Sequence, residues 1–313
     1  MSHEPVYGIP PDLIRGPESD VLPQAGEINW GMDVFGVPAL RAIAGDREYK
    51  VGVVDTGIDE SHPLLAPNFA KARDFTGSSV GYRDRHGHGT HVSGTVGASD
   101  SRIGVSTHCK LYHGKGLGDS GSGGNGLLSA IEWCLSEGCT VVSNSWGGGG
   151  QSADWEREFK KWSDSGAWLI FAAGNSGPNT PNSDWPGRSD NLLNVAALNQ
   201  DLSPASFSSS GDKLDTSGPG VSIWSCRPGG GFANMSGTSM ATPFVASVLA
   251  TFRTILESRG MPIPNVYDLR KLLFSRSTDT HTPGDDRRTG PGWVAPILLA
   301  LDTVPDPAPL RRT

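Results

Sequence analysis

Three histidines, His86, His88 and His91, fall within six positions of one another in DRHGHGTHVSG (84–94). Imidazoles at this spacing could ligate a metal ion, or one could shuttle a proton with the other two as neighbours. A zinc site of the HExxH kind needs a glutamate base beside its ligands, and no glutamate occurs from 84 to 98. Bound zinc would also occupy the lone pair that a general base needs. Three further residues carry chemistry-bearing types at telling places. Asp55 ends the apolar run of VGVVDTGID, so its carboxylate falls at the carboxyl end of a strand, where α/β sheets bind ligands. Ser239, in MSGTSMATPFVAS, falls at a helix amino terminus, where free N–H groups and the positive dipole end favour an anion. Asn175, between glycines in FAAGNSG, could donate its amide to a developing oxyanion. Each also has a plainer reading: a turn-capping carboxylate, a helix N-cap serine and a turn asparagine.

The elements that must position these residues alternate in type. YKVGVVD (49–55), CKLYHGKGL (109–117), TVVSNSW (140–146), AWLIFAA (167–173) and LLNVAAL (192–198) read as strands. GLLSAIEWCLSEG (126–138) and SMATPFVASVLATFRTILESRG (239–260) read as helices, Pro243 being tolerated near the start of the second. Stacked βα units predict an α/β fold around a mostly parallel sheet. Residues 1–28 are rich in proline and acid and read as an extended leader, 29–302 as the folded domain, and 303–313 as a loose tail. Glycine-rich loops such as GDSGSGGNG (118–126) and WGGGG (146–150) would let another backbone approach closely.

Bulk properties exclude several classes. At 313 residues and 36% hydrophobic content the chain can bury a sizeable core. A net charge of -7 with no Lys/Arg run argues against a nucleic-acid partner or an anionic membrane surface. No run of 18 consecutive apolar residues occurs, and the amino terminus has no apolar signal region, so a cytoplasmic protein is expected, or a secreted one if this is an excised mature domain. Cys109, Cys134, Cys139 and Cys226 form no CxxC pair and are expected to be free.

Taken in order, Asp55, HGTHVSG, AAGNSG and GTSMATP resemble the subtilases, the subtilisin-like serine endopeptidases, and the resemblance extends from about residue 28 to near residue 300. It implies a three-layer fold and hydrolysis of polypeptides without a required cofactor. Ser239 would be the nucleophile, His88 the base, and Asp55 the group that orients the imidazole and stabilises its charged form. Asn175 and the Ser239 N–H would hold the oxyanion, with Thr238 as a supporting hydroxyl. His91 would pack inside the helix begun by HGTH, and His86 would be a partly exposed neighbour of the cleft.

The resemblance also implies that substrate adds as a strand along Ser145–Gly148 (SWGG) and the 116–124 loop. Trp146, in place of a smaller apolar residue, would leave the fourth pocket shallow or partly filled. Ser145 to Gly147 and Ala172 to Gly174 would wall the first pocket. Asp184, just before an aromatic-Pro-Gly turn, would lie at its floor and favour Arg or Lys at P1. The segment SDSRIGVST (99–107) is read as shorter than the loop with which many subtilases bind a tight calcium ion, and as poor in oxygen ligands, so structural calcium is left open and not predicted. A short leader instead of a folding propeptide is similar to the arrangement of the intracellular subtilisins. Extended along Gly147 and Gly148, that leader would act as a latch.

Overall fold

The computed structural model describes residues 6–9, 13–21 and 29–294. The expected tail at 303–313 therefore lies outside the described residues, as do leader positions 1–5, 10–12 and 22–28. In chain order the elements begin with the leader strands β1 (Tyr7–Gly8) and β2 (Ile14–Ser19), the single turn α1 (Gly31–Val34) and α2 (Val37–Ala44). There follow β3 (Tyr49–Asp55), β4 (Phe69–Asp74), α3 (His88–Gly97), β5 (Cys109–Lys115), β6 (Ser122–Gly123), α4 (Gly126–Ser136), β7 (Val141–Asn144), β8 (Gly147–Gly148) and α5 (Ala153–Asp164). The remainder comprises β9 (Trp168–Ala172), β10 (Leu193–Leu198), β11 (Thr216–Pro219), β12 (Ile223–Cys226), β13 (Phe232–Ser236), α6 (Thr238–Ser258), α7 (Val266–Arg276), β14 (Ser277–Thr278) and β15 (Trp293–Val294).

Seven strands form one parallel sheet in the order β11-β10-β9-β7-β3-β5-β4. The central strands β3, β7, β9 and β10 are buried along most of their length because both faces are covered, and the pleat sends alternate residues to opposite layers, whereas the edge strand β4 (FAKARD) is charged and exposed or half-buried throughout. Val51, Val53, Val141, Trp168 and Ile170 pack on one side with Val92 and Val96 of α3 and Met240, Ala246 and Leu249 of α6. Val54, Val142, Leu169 and Phe171 pack on the other with Ile131 and Cys134 of α4 and Trp155 and Phe159 of α5. The result is the expected three-layer α/β fold. Gly52 lets α4 close on β3, since a Cβ there would lie 3.0 Å from Cys134 Cβ.

Helix α5 was not read from the sequence. Its charged surface hides Trp155, Phe159 and Trp162 at helical spacing, and the Ser152 hydroxyl caps it by accepting from Trp155 N–H. Helix α6 is long and apolar enough to cross a membrane, but it is almost wholly buried between α3 and the sheet, as a core helix should be. All four cysteines are free and buried.

The leader was read as extended without a sheet pattern, yet it is paired at two places. Tyr7–Gly8 lies between the antiparallel partners Ser122–Gly123 and Gly147–Gly148, and β2 pairs antiparallel with β13. The partners supply the register that the leader's own composition does not encode.

Candidate functional site

Strands β9, β7 and β3 are neighbours, so their carboxyl ends set Asn175, Ser145 and Asp55 along one edge of the sheet. From β3 the chain builds outward to β5 and β4 on one side and to β7, β9, β10 and β11 on the other, which makes this edge the topological switch point where α/β sheets bind ligands.

Asp55 and His88 are both fully buried, and His88 Nδ1 stands 2.7 Å from Asp55 Oδ1. Thr56 N–H also donates to that oxygen at 2.8 Å. Burial raises the Asp55 carboxyl, but attraction to and hydrogen bonding with His88, together with His113 and Thr56 N–H, outweigh it and hold the group below the ordinary carboxylate range. With Nδ1 directed at a carboxylate, the imidazole is fixed in orientation and its Nε2, buried and without a hydrogen-bond partner, is the free base.

Asp84 holds the two elements together and was not singled out from the sequence. Its Oδ1 accepts from Thr56 Oγ1 at 2.9 Å and from the N–H groups of His86 and Gly87, while Oδ2 accepts from Thr90 N–H and Oγ1 at 2.8 and 2.7 Å. Thr56 Oγ1 in turn accepts from Gly89 N–H at 2.9 Å. The first turn of α3 is therefore capped by residues beside Asp55 and before His88, because Gly87 at the cap has no side chain to do it.

The three histidines do not converge on a common point. His91 is fully buried with Nε2 3.1 Å from the carbonyls of Ile223 and Ala233, and burial, followed by the nearby His88, pushes it down to about 3. His86 is half-buried at the cleft, its carbonyl accepting from Arg15 Nη2 of the leader at 3.2 Å. Among the described residues no group of three or more His, Cys, Asp or Glu could hold a metal ion.

A side-chain cation meets the loop after α3. The Arg41 guanidinium donates to the carbonyls of Val105 at 2.8 Å, of Ser101 at 3.0 Å and of Gly104, so these oxygens already face a cation. Asp100, the nearest carboxylate in the segment, is bound by Arg102 at 2.9 and 2.7 Å.

Ser239 is the second residue of α6, and its fixing to β7 is reciprocal. Pro243 has no N–H to give the Ser239 carbonyl, and Ser145 Oγ donates to that carbonyl instead at 2.9 Å. Ser239 Oγ donates to the Ser145 carbonyl at 3.2 Å, and His88 Nε2 accepts no hydrogen bond. Thr238, expected among the oxyanion donors, is engaged differently. Both its N–H and its Oγ1 donate to Asn175 Oδ1 at 2.9 Å, and its hydroxyl oxygen accepts from Gly174 N–H at 3.2 Å. It thereby fixes the Asn175 amide with Oδ1 inward, leaving Nδ2 buried and without a partner.

The residues expected along the substrate edge lie beside the leader. Gly147 and Gly148 pair with Gly8 and Tyr7, and Ala172 is the last, buried residue of β9. Trp146 is fully buried, with Nε1–H donating to the Val54 carbonyl at 3.0 Å. The Tyr7 ring lies edge-on to Trp146 at 6.0 Å and stacks on Trp155 at 4.2 Å, contacts that no sequence motif announced. Asp184 is half-buried beside Gly147 and Gly174. A Cβ at Gly147 would stand 3.2 Å from Asp184 Cβ, and one at Gly174, which has φ of +100°, would strike its carboxylate. Burial raises the Asp184 carboxyl, with Arg188 partly opposing.

Comparison with known proteins agrees with this arrangement. The family model described as "Subtilase family" matches residues 46–292. The chain is 33% identical over 258 residues to "Intracellular serine protease" of Paenibacillus polymyxa, covering 78% of this chain and 79% of that protein. It is 36% identical over 272 residues to "Subtilisin DY" of Bacillus licheniformis, covering 83% and 96%. With "Subtilisin E" of Bacillus subtilis it shares 38% over 234 residues, 72% of this chain and 61% of that protein.

Proposed function

The chain belongs to the subtilase family and is a subtilisin-like serine endopeptidase, and from that premise we propose how its own residues cleave polypeptides. Ser239 attacks the scissile carbonyl as His88 Nε2 takes its proton, and the imidazolium later protonates the leaving amine. Asp55 keeps Nδ1 protonated and offsets the charge, and water releases the acyl group by the same route. The observation that carries this reading is the fully buried His88–Asp55 pair at 2.7 Å, which leaves Nε2 without a partner. Asn175 Nδ2 and the Ser239 N–H are the oxyanion donors, and Thr238 orients the amide. No bound metal is needed, a reading supported by the Arg41 guanidinium among the loop carbonyls. Replacing Ser239 or His88 with alanine removes peptide hydrolysis while leaving the fold intact, and a Ser239→Ala protein cleaving at the parental rate overturns the assignment.

Two finer features belong to the same reading. Asp184 makes the first pocket selective for Arg or Lys, supported by a carboxylate between Gly147 and Gly174 whose side chain accepts no hydrogen bond among the described residues. The leader is an intramolecular latch that competes with substrate, supported by the pairing of Tyr7–Gly8 and by Arg15 at His86. A cytoplasmic setting is in keeping with the intracellular designation of the Paenibacillus relative.

A further inference from the structure

His113 is a fully buried histidine that the mechanism above does not use. It lies on β5, directly opposite Val53 of β3, two residues before Asp55. Its Nε2 accepts from Gly57 N–H at 3.2 Å, which fixes that nitrogen as the unprotonated one. The proton is then on Nδ1, 3.0 Å from Ser93 Oγ in the second turn of α3. Between these two bonds the ring edge lies beneath Gly89, the neighbour of His88: a Cβ at Gly89 would stand 3.1 Å from His113 Cε1. One ring therefore touches the turn that follows Asp55 and two successive turns of the helix that begins with His88. The charged groups that face it are Asp55, Asp84 and Lys115, and burial keeps it neutral, down to about 4.

We propose that His113 is a positioning residue for the reaction, its neutral imidazole clamping the Asp55 turn to the His88 helix so that the buried carboxylate stays aligned with His88 Nδ1. The alignment needs such a clamp because Asp55 Oδ2 has no hydrogen-bond partner, and the carboxylate is held through Oδ1 alone, by Thr56 N–H and His88. Asp84 fixes the same two elements from the helix cap, and His113 fixes them from the sheet side. The groups on His113 are neutral donors and acceptors suited to holding geometry; it touches no reacting atom and is not a catalytic residue.

The inference rests on the serine-protease reading, and a Ser239→Ala control reports on that reading separately. His113→Phe keeps the ring volume and loses both hydrogen bonds, whereas His113→Gln keeps an acceptor able to reach Gly57 N–H. The variants are compared on one peptide substrate across pH, with rates divided by the concentration of sites titrated by an acylating burst reagent. In His113→Phe, kcat should fall about 10- to 100-fold with KM within about twofold, the scale expected of slightly misplaced catalytic groups. Its acidic limb should move to lower pH, because an imidazolium with a poorly aligned carboxylate is less stabilised. His113→Gln should recover most of the lost kcat. Should His113→Phe fail to fold, Ser93→Ala removes only the helix-side bond and should show the same limb shift with a smaller loss. Parental kcat and acidic limb in the folded variants, a loss confined to KM, or a glutamine variant no better than phenylalanine overturns the proposal.

Discussion

Asp184→Asn changes one charge at the proposed base of the first pocket and almost nothing in volume. In the wild-type pocket the carboxylate accepts no hydrogen bond among the described residues, and Arg188 is the one cation whose charge acts on it. A P1 guanidinium reaching to about 4 Å would gain roughly 4 kcal/mol at an effective dielectric constant of 20. The residue is half-buried, so solvent screening reduces the gain to about 1.5–3 kcal/mol, the range of a hydrogen bond to a charged group. That corresponds to a ratio of kcat/KM for P1 Arg over P1 Leu about 10- to 150-fold higher in the parent than in Asp184→Asn. The assay is a matched pair of peptides differing only at P1, with the Leu substrate holding within about threefold between the two proteins. The ratio also has a pH signature. Because burial raises the Asp184 carboxyl, the preference for Arg should fade at a higher pH than an ordinary carboxylate would allow as the solution is acidified. Protonation of the catalytic imidazole slows both substrates and cancels in the ratio. A library in which Phe or Leu dominates at P1, unaltered by Asp184→Asn, would refute the reasoning and turn Asp184 out of the pocket.

Deleting residues 2–24 should raise peptidase activity by lowering the apparent KM; the milder Tyr7→Ala should weaken the latch by roughly 2–4 kcal/mol, from lost burial and ring stacking on Trp155, and unchanged kinetics in both proteins would eliminate it. Asp84→Asn replaces an acceptor of five donors by an amide that offers its own N–H groups to some of them, and should destabilise the fold by about 3–5 kcal/mol in denaturant melts while lowering kcat more than it raises KM. Arg41→Ala should cost about 3–5 kcal/mol of stability, and excess chelator should change neither the parental melting temperature nor its activity; a chelator-induced loss would show that an ion, not the guanidinium, neutralises the loop.

Five strands of the central sheet, β3, β5, β7, β9 and β10, were legible as apolar runs, and the sheet order brings their expected site residues to one edge; the edge strands β4 (FAKARD) and β11 (TSGP) carry no such run and were not read. Less was legible where a residue's partner is distant in sequence. Tyr7–Gly8 is two residues long, and its pairing depends on glycine edges more than a hundred positions away. Thr238 reads as one more hydroxyl beside a serine, and only its contact with Asn175 Oδ1 shows that it orients an amide. Asp84 was not singled out, although its place before HGHGTH and ahead of a glycine cap was a usable sign that the helix start needed an outside acceptor. His113 was concealed within a strand pattern, since periodicity records that a side chain is buried and not which elements it joins. Arg41 likewise sits on a helix, facing a loop some sixty residues later whose scarcity of oxygen ligands was read but whose counter-cation was not.

The central claim is that Ser239 is a nucleophile activated by the buried His88–Asp55 pair. A fluorophosphonate probe followed by peptide mass mapping tests it directly on the full chain. The account predicts one label per molecule, on Ser239, formed at the same rate with and without chelator and suppressed in His88→Ala. A folded, active enzyme that carries no label on Ser239, or one whose labelling is unchanged in His88→Ala, would contradict it.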